Sequence, residues 1–246
     1  MTKLSWRIKL GAGLLSAFLA MLGAHFLIFR DWHHLAIFTL HDVAFLPFEV
    51  LIVTMILHEL LEHRARRERV RKLSMVIGAF FSEVGSELLR RLSVFDTDRT
   101  LRDLFSGSAE WDAGRIATTC AALSGHGFAL DAARGDLAAL RSFLQEKRGF
   151  LLRLLENPNL LEHESFTDAL WAVFHLAEEL EHRTDLGRLG ANDLGHLSGD
   201  VKRAYSTLII EWLGHLRHLK ESYPYLFSLA VRRNPLDPEA RVALTD

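Results

Sequence analysis

The sequence predicts an all-α fold: a two-span transmembrane helical hairpin whose second span continues into a cytosolic helical bundle. Three observations carry this. Two apolar stretches, residues 10–29 and 35–57, stand near the start of the chain, and each reaches the ~20 residues that a helix needs to cross a bilayer. Only 16 Gly and 5 Pro interrupt 246 residues rich in Leu, Ala, Glu and Arg, the side chains that favour helix. Beyond the second stretch apolar residues recur every three or four positions and nowhere alternate with period two, which is the helical pattern.

The first span follows Lys3, Arg7 and Lys9. Its apolar run is longer than the roughly 7–15 residues of a signal core and ends at Phe29-Arg30 rather than in a small-x-small site, so it is expected to stay as an anchor. Gly13, Ala17, Ala20 and Ala24 form a stripe of small residues that lets helices approach closely in lipid. The turn Arg30-Asp31-Trp32-His33-His34 holds one cation, whereas Arg64, Arg66, Arg67, Arg69, Arg71 and Lys72 follow the second span. The positive-inside rule then places both termini in the cytoplasm and the His33-His34 turn outside, in a bacterial-type inner (plasma) membrane. The same six cations are expected to meet anionic lipid headgroups.

The elements after the spans follow in order. No Gly or Pro interrupts residues 50–77, and Val70, Leu73, Ile77, Phe80, Phe81, Val84, Leu88 and Leu92 make one amphipathic stripe. Asp96-Thr97-Asp98 reads as a stop and a new N-cap. Short helices are expected over 99–105 and 110–123, with Gly125 and Gly127 breaking the chain. A longer helix over 131–156 ends at Asn157-Pro158. Ser165-Phe-Thr-Asp168 reads as a capping box ahead of a helix over 169–183. Four glycines make 184–199 a loop. A helix over 200–222 carries Tyr205, Leu208, Ile209, Trp212, Leu216 and Leu219 on one face, and Pro224 restarts a short helix over 225–231. The domains so read are a hairpin (1–63), a basic juxtamembrane and amphipathic linker helix (64–95), a cytosolic bundle (96–233) and a polar tail (234–246).

Composition excludes several function classes. The net charge of −2 supplies no field for nucleic acid. A single cysteine, Cys120, excludes an internal disulfide and a Cys-rich zinc site. No glycine-rich phosphate loop, dinucleotide fingerprint, nucleophile elbow or His-Glu-x-x-His pattern occurs, so no catalytic residue is assigned. The hydrophobic fraction of 49% is high for a wholly soluble chain and low for one made only of spans.

Two sets of residues are chemically out of place. Asp42 and Glu49 lie inside the second apolar stretch, where a carboxylate costs several kcal/mol unless paired, protonated or hydrated. Seven residues apart, they share a helical face about 10 Å apart along the axis. Pro47 between them frees a backbone carbonyl, His41 is adjacent, and His25 on the first span stands at a depth to meet His41 or Asp42. These four are the candidate ion- or proton-binding residues of a channel-like or transport-like protein. Two spans enclose no pore, so that function requires a homo-oligomer. The second set is His175-x-x-Glu178-Glu179-x-x-His182 with Glu211-x-x-x-His215-x-x-His218. Facing helices build divalent metal sites from such groups, with His175, Glu179, His182, Glu211, His215 and His218 as ligands. The apolar residues Leu170, Val173, Phe174 and Ala177 mark the buried face of the first helix and leave this set on its flank. The expected function is therefore cation or proton handling in the membrane with a regulatory bundle. The alternatives are a membrane-anchored sensor or scaffold for protein–protein interaction and a membrane-tethered metal-binding bundle.

Overall fold

Helix α1 (Trp6–Phe29) and helix α2 (Trp32–Phe80) are joined by Arg30 and Asp31 alone. Arg30 takes a left-handed φ of 53° and its N–H donates to the Phe26 carbonyl at 2.9 Å, an αL helix stop. Asp31 caps the next helix, its Oδ1 accepting from the His34 N–H at 3.0 Å. The chain thus reverses, and His25 stacks on His34 while Phe26 meets Trp32 edge-on. The structure, a computed structural model, describes residues 6–105, 111–123, 125–157, 160 and 163–241, except the side chains of Arg7, Arg67, Arg69, Val70, Arg99, Thr100 and Arg102. Lys3, Glu110 and Pro158 lie outside the described residues.

The chain divides into two compact units, Met1–Arg66 and Arg67–Asp246. In the first, no described side chain is buried. Leu14, Phe18, Leu46, Val53 and Ile56 are each more than half exposed.

The second unit holds the hydrophobic core. Leu73, Ile77, Phe80, Phe81, Val84, Leu88 and Leu92 of the expected stripe are all buried. A π-helical turn, Phe81–Gly85, separates α2 from α3 (Ser86–Ser93). Its extra residue per turn lets Phe80 and Phe81, neighbours in sequence, both point inward with rings 5.1 Å apart. A Cβ at Gly85 would collide with both rings, so the turn requires glycine. Helix α4 (Arg99–Phe105) and helix α5 (Ala113–Leu123) follow, the latter capped by Asp112, which accepts from the Arg115 N–H at 2.6 Å.

Three sequence expectations are corrected here. The helix expected over 131–156 is two pieces: Asp131 caps a 3₁₀ turn (Ala132–Arg134), and Asp136 caps helix α6 (Leu137–Leu155). Gly135 between them lies directly on the Phe95 ring, with no room for a Cβ. Helix α7 (Glu164–Glu181) starts before the expected capping box, because the His163 ring nitrogen accepts from the Phe166 N–H at 3.2 Å and takes the cap role. Helix α8 (Ala191–Ser222) includes Gly195 and Gly199, which were expected in a loop. Both face solvent, while Leu197 and Val201 bury the opposite side. After helix α9 (Pro224–Arg232) the polar segment begins against the bundle: Asn234 is buried and donates from Nδ2 to the Phe105 carbonyl at 2.9 Å.

Helix α8 is the axis of this unit. It packs against α3, α5, α7 and α9, and α7 packs in turn on α6. The predicted stripe Tyr205, Leu208, Ile209, Trp212, Leu216 and Leu219 is buried along it. The described residues contain no strand, only an isolated antiparallel bridge between Asp96 and Leu130.

Candidate functional site

Helices α7 and α8 pair antiparallel, so His175 lies opposite Asp200 and, one turn along, Glu179 lies opposite His196. The apolar residues Leu170, Val173, Phe174 and Ala177 are buried, as are Leu197, Val201 and Ala204 on α8. That packing leaves positions 175 and 179 on one edge of α7 and 196 and 200 on the matching edge of α8. The His175 Nε2 is 3.4 Å from Asp200 Oδ1 and 4.0 Å from Glu179 Oε1. The His196 Nε2 is 3.3 Å from Asp200 Oδ2 and 3.5 Å from Glu179 Oε2.

The two carboxylates differ in surroundings. Glu179 accepts from the Arg183 guanidinium at 2.6 Å, and Arg183 also reaches Asp193 at 3.5 Å. The Arg183 hydrogen bond, reinforced by its charge, holds the Glu179 carboxyl below the usual carboxylate range; the same bond raises Arg183. Asp200 is 3% exposed. Its Oδ1 accepts from Arg203 at 3.2 Å, and its buried Oδ2 has no hydrogen-bond partner. Two imidazole nitrogens and two carboxylates thus face one another at a helix seam, and ligand atoms of His175, His196 and Asp200 lie within 4.8 Å of one another. Such a set can bind a cation, hold a proton or latch the two helices.

Of the six metal candidates read from sequence, the fold brings His175 and Glu179 together, and joins to them His196 and Asp200, which lay within or beside the supposed loop. The signal for the second pair was its spacing: His196-x-x-x-Asp200 repeats His175-x-x-x-Glu179. The other four stand apart. His182 ends α7, its Nδ1 2.8 Å from the Glu178 carbonyl. Glu211 is buried on α8, about 16 Å along the axis from Asp200. His215 stacks on Phe81 at 5.2 Å, and His218 meets the Tyr223 ring at 5.9 Å. Both line an apolar cavity of about 360 Å³ with Phe81, Trp212 and Tyr223.

In the first unit Asp42 and Glu49 are exposed on α2, and the His41 Nδ1 is 3.7 Å from Asp42. His25 packs on His34 and Phe29. Of the basic segment, Arg64, Arg66, Arg71 and Lys72 are exposed, and Lys72 pairs with Glu68 at 3.1 Å. The side chains of Arg67 and Arg69 lie outside the described residues.

Comparison with known proteins divides the chain at this basic segment. Residues 2–61 match a family described as the MJ1433 N-terminal helical domain, and residues 69–232 match the C-terminal helical domain of uncharacterized protein MJ1433. Uncharacterized protein MJ1433 of Methanocaldococcus jannaschii is 44% identical over 222 residues, covering 90% of each chain. No solved structure matches.

Proposed function

This chain belongs to the MJ1433 family, and on that premise we propose that it is a membrane-anchored helical sensor or scaffold, with the hairpin as anchor and the bundle as the cytosolic binding domain. The observation that carries this reading is the contrast between the units. The first holds α1 and the apolar part of α2, two helices long and apolar enough to cross a membrane, yet none of its described side chains is buried. Apolar surface in water costs about 25 cal/mol per Å², and contiguous apolar surface on this scale marks a membrane or protein contact. Lipid covers such helices on every side. The bundle buries a core of its own and needs no such cover. The Lys and Arg asymmetry orients the pair with Arg64–Lys72 inside and the Arg30–His34 turn outside.

Fractionation and labelling test this. In a Cys120→Ser background, His33→Cys reacts with an impermeant maleimide applied to intact cells, whereas Ser228→Cys reacts only after permeabilisation. The protein stays in the membrane pellet through alkaline carbonate. Release by carbonate, or a shielded position 33, overturns the reading.

Glu49 supports a second reading, cation or proton handling by an assembly of hairpins. It lies in the apolar part of α2, and its side chain makes no ion pair or hydrogen bond among the described residues. In lipid it requires a proton, water or a second copy. Assembled hairpins would stack Asp42 and Glu49 as carboxylate rings about 10 Å apart, a device that attracts cations. Proteoliposomes of the parent chain should pass cations or protons, and Glu49→Gln should cut the flux by about tenfold or more. No flux in the parent, or equal flux in both, removes this reading.

A further inference from the structure

We infer that His175, Glu179, His196 and Asp200 form a binding site for a divalent first-row transition ion, with zinc the best fit, at the seam of α7 and α8. This goes beyond the anchoring reading and stands independently of it.

The spacing of His175, His196 and Asp200, with Glu179 beside them, is close to that of a coordination shell. Zinc takes imidazole nitrogen and carboxylate oxygen at about 2.0–2.2 Å. The edge of a tetrahedron is about 1.63 times that length, so ligand atoms around one ion lie about 3.3–3.6 Å apart. Each carboxylate faces both imidazoles, one oxygen to each: Asp200 lies 3.4 Å from His175 through Oδ1 and 3.3 Å from His196 through Oδ2, and Glu179 lies 4.0 Å from His175 through Oε1 and 3.5 Å from His196 through Oε2. One ligand atom from each of His175, His196 and Asp200 also falls within 4.8 Å of the others. The ligands come from two i, i+4 pairs on packed antiparallel helices, so the geometry is fixed by core packing and not by a loop.

An independent observation points the same way. Asp200 Oδ2 is buried and makes no hydrogen bond, although the His196 Nε2 is 3.3 Å away. A buried carboxylate oxygen left so is costly and uncommon. It faces His196, while Oδ1 of the same carboxylate faces His175, and an ion among them would satisfy it. The remaining contacts suit outer-sphere roles. Arg183 holds Glu179 through Oε2, which leaves Oε1 toward His175. Arg203 occupies Asp200 Oδ1, and its side chain is 59% exposed, so it can swing into water when an ion enters. Partners of this kind orient metal-binding carboxylates. Mixed imidazole and carboxylate donors favour zinc, iron, cobalt or nickel over calcium and magnesium, which take oxygen alone. His175 and His196 are partly exposed, which gives the ion an entry path.

The rival is a metal-free latch in which protonated imidazoles pair with the carboxylates. Titration of the full chain in detergent, freed of metal by chelation, separates the two. The expected result is one Co²⁺ bound per chain, with the visible bands of a low-symmetry site, displaced by Zn²⁺ and unaffected by excess Mg²⁺. His175→Ala and His196→Ala each weaken Co²⁺ binding by more than about tenfold, the least that even outer-shell changes cost. His218→Ala, outside the cluster, leaves it unchanged. Asp200→Asn abolishes binding; if that variant fails to fold, the exposed His196→Ala and Glu179→Gln remain decisive. Arg203→Gln, which frees Asp200, binds Co²⁺ at least as tightly as the parent. Absence of stoichiometric Co²⁺, or binding that survives the double variant His175→Ala/His196→Ala, overturns the site.

Discussion

The His215 ring lies nearly parallel to that of Phe81, with 5.2 Å between centroids, and its buried Nδ1 makes no hydrogen bond. Burial, and secondarily the charge of His218, pushes its pKa from 6.5 down to about 4. Unfolding returns the ring to its ordinary value. Between about 6.5 and about 4 the unfolded chain therefore binds more protons than the folded one. This group's contribution is fully present above pH 6.5 and is lost as pH falls toward 4. Glu179 acts at lower pH, because Arg183 depresses its pKa below 4.5; its contribution is lost as pH falls through that depressed value. The two windows are separable. His215→Leu removes the first proton site, so its melting temperature should fall less than the parent's between about pH 7 and about pH 5. Equal falls in both proteins would assign the dependence to other groups.

At the scale of elements, apolar periodicity and the stop at residues 96–98 ahead of α4 were legible, and the cap at His163 was not. The stripes at 73–92 and 205–219 were readable because burial repeats with the helix, and those residues are buried. The start of α8 is hidden in the sequence because glycine disfavours helix, and Gly195 and Gly199 lie inside it. Gly195 and Gly199 face solvent, where each costs about 1 kcal/mol relative to Ala. Burial of Leu197 and Val201 outweighs that. A histidine cap at residue 163 falls outside the usual cap residues, and Asn234 finds its partner at Phe105, far away in sequence. The candidate site shows the same limit. His175 and Glu179 were visible because i, i+4 spacing is local. Their meeting with His196 and Asp200 depends on the register of α7 against α8, which no local pattern encodes. Glu211, His215 and His218 have equally suggestive spacing, yet His215 is turned to Phe81 and His218 to Tyr223. Periodicity places a residue on a face of its helix; the neighbouring helix decides what that face meets.

At the scale of the whole molecule, the two units solve the hydrophobic problem differently. The core runs from Leu73 to Leu236 and takes every member from the second unit. A fully buried Leu or Phe side chain contributes about 1.5–3 kcal/mol, and a unit of roughly 180 residues is long enough to bury about 70% of its unfolded surface. Helix α2 carries both demands: its apolar residues before the basic segment are exposed, and Leu73, Ile77 and Phe80 after it are buried. Cutting the chain in the basic segment, where the unit boundary falls at Arg66–Arg67 and the two family matches part, removes the exposed apolar helices and spares the core. A fragment of residues 67–246 should therefore be soluble without detergent, helical, and cooperative in thermal unfolding, and it should keep the Co²⁺ stoichiometry of the full chain. The full chain should need detergent under the same conditions. Circular dichroism and sedimentation decide the matter. A fragment that aggregates or melts without cooperativity would mean that the apolar N-terminal helices support the bundle's core.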